Sequence, residues 1–142
     1  MSNDQSGGSE WIAFIAKLEA AEDEFARGRS AAFKELWSHA NDVTLCGGFG
    51  GVACGWENVA ARLDWAGSKY SDGRRSREEV SCAIGGDFAY IVQKEVICFR
   101  VPGQTEESRQ ELRATMVFRR EADGWRILHR HADSQISTQP PS

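Results

Sequence analysis

The chain has 142 residues, with 21 acidic and 17 basic side chains and a formal charge of −4. That length fits one domain able to close a core and a small cavity. A net acidic chain without a basic run argues against nucleic acid as the main partner. No apolar run approaches a membrane span, and MSNDQSGGSE lacks the basic and apolar parts of a secretory signal.

In chain order, residues 1–8 are polar and Gly/Ser-rich and are expected to be a disordered lead. SEWIAFIAKLEAAEDEFARG places Trp11, Phe14, Ile15, Leu18, Ala21 and Phe25 on one helical stripe, with Ser9 as N-cap and Gly28 as the residue past the end. A second helix, SAAFKELWSHA, is short. DVTLC reads as a short strand, and GGFGG as a loop rather than regular structure. It lacks the Lys-Ser/Thr ending of a phosphate loop. GWENVAARLDWAGSKY is the third helix, with Trp56, Val59, Leu63 and Tyr70 on one side. Four long antiparallel strands follow, and residues 136–142 are an expected disordered tail. RRSREE in the first of them reads as a solvated edge. The predicted fold is α+β, with three N-terminal helices packed on a curved antiparallel sheet over residues 9–135.

Cys46, Cys54, Cys82 and Cys98 form no CxxC pair, so the expectation is reduced thiols in a cytoplasmic protein. A tight turn at IGGDF would set Cys82 opposite about position 90, away from Cys98.

The last hairpin carries the choice of faces. A two-residue turn at Asp123-Gly124 would set Ala122 opposite Trp125, His131 beside Met116 and His129 beside Phe118. Pattern alone then puts the histidine face in the core. Arg113, Thr115 and Arg130 would share the opposite face.

FKELWSHANDVTLCGGFGG, the GW that opens a helix, and ELRATMVFRREADGWRILHRHADS together resemble the SnoaL-like, ketosteroid-isomerase-like branch of the nuclear transport factor 2-like superfamily. The likeness spans about residues 10–135. It implies a cystatin-like cone: a strongly curved sheet around a long helix, with a small-molecule pocket between them and a homodimer through the convex sheet face. Pocket positions of the family's last strand match Leu128, Arg130 and Ala132. A functional acid of the isomerases, and an anion-binding arginine of the calcium/calmodulin-dependent kinase association domain, both match Thr115. The resemblance therefore turns Arg113, Thr115 and Arg130 inward and places Met116, Phe118, Trp125, His129 and His131 at a dimer interface, against the apolar pattern. Gly47 stands where the isomerases carry their base, and Ala21 near their tyrosine donor, so steroid isomerisation is not implied.

Remaining candidates follow from residue chemistry. His39 is the expected acid or base. Trp56, Leu63, Tyr90 and Lys94 join Arg113, Thr115, Leu128 and Arg130 as expected pocket residues, the arginines to hold an organic anion. His129 and His131 lie about 6.6–6.8 Å apart along one strand face, but no third ligand is spaced to complete a metal site, so neither metal nor cofactor is expected. The functional expectation is a small-molecule-binding protein. Its reaction would be isomerase, cyclase or hydrolase chemistry on a small organic anion or carbonyl compound. The alternative is a non-catalytic association module.

Overall fold

The structure is a computed structural model that describes residues 2–141. Helix α1 (Ser2–Ala26) lies across a six-stranded sheet. It begins at Ser2, ahead of the Ser9 cap expected from sequence and within the segment expected to be disordered. Its end follows expectation: Gly28 has φ +91°, its N–H donates to the Phe25 carbonyl, and the Arg29 N–H reaches back to the Glu24 carbonyl. That is a Schellman closure, which needs a left-handed residue where glycine stands. α2 (Ala31–Glu35) and α3 (Trp56–Gly67) complete the helices.

The strands are β1 (Thr44–Gly47), β2 (Gly50–Cys54), β3 (Ser71–Ile84), β4 (Phe88–Arg100), β5 (Ser108–Glu121) and β6 (Gly124–Ser134). Their spatial order is β2-β1-β6-β5-β4-β3, antiparallel except where β1 runs parallel to β6. The expected GGFGG loop is instead the tip of a hairpin, since Gly47 and Gly50 pair across it. All four cysteines are free thiols, and Cys82 sits opposite Ile91. No helix among the described residues is long and apolar enough to cross a membrane.

The core lies between α1 and the inner sheet face. Trp11 meets Phe118 and Trp125 edge-on, with ring centroids 5.1 and 5.2 Å apart. Phe118 and Ile127 are fully buried. Apolar burial of this kind contributes most of the stability of such a domain.

One irregularity settles the faces of the last hairpin. The turn is Ala122-Asp123, so Glu121 opposes Gly124 and Phe118 opposes Ile127. Past that point Val117 opposes His129, leaving Leu128 as the extra residue of a β-bulge. Trp125 and Ile127 therefore face the core. Beyond Leu128 the parity flips, and Arg130 and Ala132 turn inward opposite Met116 and Ala114. The expected Asp123-Gly124 turn is thus shifted by one residue, and no single alternation describes β6. A one-residue change reverses every later side chain, because the strand period is two.

Candidate functional site

Two small cavities of about 50 Å³ each sit at the open end of the cone, and both are bounded by Phe25, Phe33, Tyr70 and Arg130. The inner one is also bounded by Glu22 of α1, Arg75 of β3 and Glu95 of β4. The outer one reaches Phe49, Arg62 and Leu63. Phe25 stands 5.2 Å from Phe33 and 5.7 Å from Tyr70 by ring centroid, so aromatic faces make much of the wall. The Tyr70 hydroxyl donates to Gln110 Oε1 at 2.6 Å, and burial raises its phenol above the ordinary range.

Charge here is largely paired. Arg130 Nη1 and Nη2 donate to the two oxygens of Glu95 at 2.8 and 2.6 Å. The Glu95 side chain is 1% exposed and that of Arg130 13%. Burial pushes the Glu95 carboxyl up, but the Arg130 guanidinium and the hydrogen bonds to it win and hold it well below the usual carboxylate range. Gln93 Nε2 donates to Glu95 at 2.5 Å, and Gln93 Oε1 accepts from Arg77 at 3.1 Å. Arg75, with 4% of its side chain exposed, lies 2.8 Å from Glu19, 3.4 Å from Glu22 and 3.6 Å from Asp23.

Glu22 is the exception. It is buried and bounds the cavity, yet among the described residues its one close partner is Arg75 at 3.4 Å. Burial dominates and pushes its carboxyl up to about 7; Arg75 opposes the rise and Glu95 adds to it. A carboxyl divided between its two forms near neutral pH can give or take a proton.

The expected site residues separate into three groups. Arg130 and Leu63 do line the cavity. Leu128 is the bulge residue and packs against the main core. The others lie elsewhere. Arg113 is exposed on the convex face and bound to Asp133 by two hydrogen bonds of 2.9 Å; Thr115 sits on that face opposite His131. Tyr90 and Lys94 also point outward, because the odd residues of β4, from Ala89 to Phe99, are the buried ones. Lys94 lies 3.8 Å from Glu78. His39 is exposed, outside the cavity, and its ring stacks on Trp56 at 4.0 Å and 13°. Trp56 is thus a partner of His39 and not a cavity wall.

The expected interface residues also divide. Met116, Phe118 and Trp125 are core side chains: β5 alternates regularly with Leu112, Ala114, Met116 and Phe118 inward, and Trp125 precedes the parity shift at Leu128. His129 and His131 do lie on the convex face, and His129 Nδ1 is 2.6 Å from Thr44 Oγ1. Burial, then the charge of His131, lowers the proton affinity of His129. Among the described residues no group of three or more His, Cys, Asp or Glu side chains has metal-holding geometry.

Glu22, Phe25, Tyr70, Arg75 and Glu95 are absent from the site residues expected from sequence. Glu22 carried a signal: it falls four residues after Leu18 on the apolar stripe of α1, where a charge is costly without a reason. Glu95 carried none, because both faces of β4 read as apolar runs interrupted by charge.

The profile of the SnoaL-like domain family matches residues 15–136. None of the curated proteins matches the chain in sequence. Among solved structures, a candidate dehydratase of the nuclear transport factor 2-like family from Streptomyces avermitilis superposes with a TM-score of 0.77 at 19% identity, over 94% of this chain and 99% of that one. A nuclear transport factor 2-like protein from Salmonella enterica serovar Typhimurium gives 0.76 at 15% identity, over 96% of each chain. A candidate calcium/calmodulin-dependent protein kinase type II association domain from Thiobacillus denitrificans gives 0.71 at 22% identity, over 88% and 94%. Identities this low show a shared fold, not a shared activity.

Proposed function

The chain belongs to the SnoaL-like domain family, and from that premise we propose that it binds a compact organic molecule between α1 and the sheet and exchanges a proton with it through Glu22. The observation that carries this reading is the state of Glu22, a buried carboxyl facing the cavity with one ionic partner at 3.4 Å. Arg130 is occupied by Glu95, and Arg113 lies on the other face. The arginine clamp for an anion is therefore the weaker half of the expectation. A carbonyl compound fits better. As carboxylate, Glu22 takes a proton from the carbon beside the carbonyl; as acid, it returns the proton to another atom. Isomerisation, cyclisation and elimination all use that pair of steps. Phe25, Phe33 and Tyr70 supply the apolar wall that orients the molecule.

The test is a screen of compact ketones and enones for thermal stabilisation of wild type and of Glu22→Gln, followed by proton–deuterium exchange of any binder. Binding by both proteins, with exchange only in wild type, is the expected result. Exchange that survives Glu22→Gln removes Glu22 from the chemistry, and failure of every probe to bind removes the site.

A second reading concerns assembly. Phe88 and Tyr90 are 54% and 40% exposed on the convex face, which also carries His129 and His131. Exposed aromatics on a sheet face suit a homodimer, and the same surface would serve the non-catalytic association alternative. Sedimentation of His129→Asp tests it, with monomers expected.

A further inference from the structure

The two cavities are far smaller than the roughly 300–1,000 Å³ typical of ligand pockets. A molecule larger than a few waters needs part of the wall to move. α1 and the long strands are held by the aromatic core and by the Glu19–Arg75 and Glu95–Arg130 pairs. The base of the β1–β2 hairpin is held by Leu45 in the core and by pairing of β1 with β6, but its tip is not. β2 is an outermost strand of the sheet, and four of its five residues are exposed. The tip is Gly47-Gly48-Phe49-Gly50-Gly51.

Each part of that tip has a distinct physical task. A side chain at Gly48 would meet the Leu112 methyl groups at 3.0 and 3.2 Å, so this glycine is seated against the floor of the outer cavity and serves as the pivot. Gly50 and Gly51 have φ of +91° and +80°, a backbone state that other residues rarely adopt. Phe49, between Gly48 and Gly50, bounds the outer cavity and is itself 37% exposed, so its ring stands between cavity and solvent. Two contacts hold the ring inward. It meets Trp65 edge-on at 5.5 Å and Tyr70 at 5.6 Å. Arg62 of α3 donates from Nη2 to the Gly50 carbonyl at 3.2 Å while its guanidinium lies 3.9 Å over the Trp65 ring. Tyr70 is buried, but Trp65 is 41% exposed and Arg62 is half-buried, so the Arg62–Trp65 part of the hold is weak and solvent-accessible, which suits a contact that must break and reform.

We propose that Phe49 is the gate of the cavity: latched by Arg62 on Trp65, it closes the outer chamber and swings out on its glycines to admit a compact neutral aromatic or alicyclic molecule. The inference rests on the reading of the cavity as a ligand site. It adds which residue controls entry and how large a molecule can stay once the gate shuts. The gate acts on rates more than on equilibrium. Freeing it accelerates entry and exit together.

The experiment follows 4-fluoroacetophenone by fluorine NMR on wild type, Phe49→Ala, Arg62→Met and Arg113→Ala. Expected are association and dissociation rate constants at least tenfold higher in Phe49→Ala and at least threefold higher in Arg62→Met. Arg62→Met keeps the Phe49 wall, so its dissociation constant should stay within threefold of wild type. Arg113→Ala, on the opposite sheet face, should leave the association rate unchanged. Association rates within twofold of wild type in both gate variants overturn the gate while leaving the ligand site standing. Failure of the probe to bind wild type and Phe49→Ala alike overturns both. Amide hydrogen exchange supplies the ligand-free check: residues 47–53 should exchange faster than β5, and faster still in Arg62→Met. Equal protection of the hairpin in wild type and Arg62→Met counts against the latch.

Discussion

Replacing Glu22 by Gln isolates one buried carboxyl without changing its shape. In the folded chain burial pushes its carboxyl up to about 7, against an ordinary 4.5. The folded state therefore holds a proton that the unfolded state has lost across that window. Stability from this group is fully present below pH 4.5 and is lost as pH rises through 7. A shift of that size corresponds to about 3 kcal/mol, at 1.36 kcal/mol per pKa unit. The groups packed against it are Arg75, Glu19, Glu95 and Arg130. Their titrations are common to both proteins, so the informative quantity is the difference between the two stabilities. Urea denaturation at half-unit steps from pH 4 to 8.5 measures it. Relative to wild type, Glu22→Gln should gain progressively between pH 4.5 and 7 and then level off. A difference that stays flat across that range refutes the argument that Glu22 is buried at a cost and poised for proton exchange.

Three more outcomes follow from the same geometry. Glu95→Gln strands the buried Arg130 guanidinium and should cost about 3–5 kcal/mol in chemical denaturation at pH 7, whereas Arg113→Ala on the exposed face should cause no measurable loss. Trp125→Ala should behave as a core truncation, losing about 3–5 kcal/mol, while His129→Asp should leave the fold intact and change only the sedimentation coefficient. Deleting Leu128 removes the bulge and makes the separation of Ile127 and Arg130 even, so regular alternation keeps Arg130 inward and the deletion variant should retain cooperative unfolding by circular dichroism, whereas one alanine inserted after Leu128, with the bulge kept, turns Arg130 outward and should abolish it.

Much of the fold was legible from residues alone. The apolar stripe from Trp11 to Phe25, the glycine that ends α1 and the four long strands are local features, set by side-chain period and backbone freedom. The inward direction of Arg130 also follows from the family likeness. What it meets there does not. Glu95 and Glu22 approach it from other elements, 35 residues away in the case of Glu95.

Sequence by itself determined the element order apart from β2, the α+β class and the family, because those depend on patterns within short windows. Tertiary structure decided which side of each strand is inside. On β4 both alternations are apolar enough to be buried, and the choice went to Gln93 and Glu95 because Arg77 and Arg130 are there to pair with them. On β6 a single bulge residue, Leu128, sends Trp125 and Arg130 to the same side despite their odd separation. The His-x-His of that strand falls outside, on the convex face, and the arginine between the two histidines closes a buried ion pair. Such choices belong to pairing partners distant in sequence, whose desolvation and charge are balanced only when the sheet closes around α1.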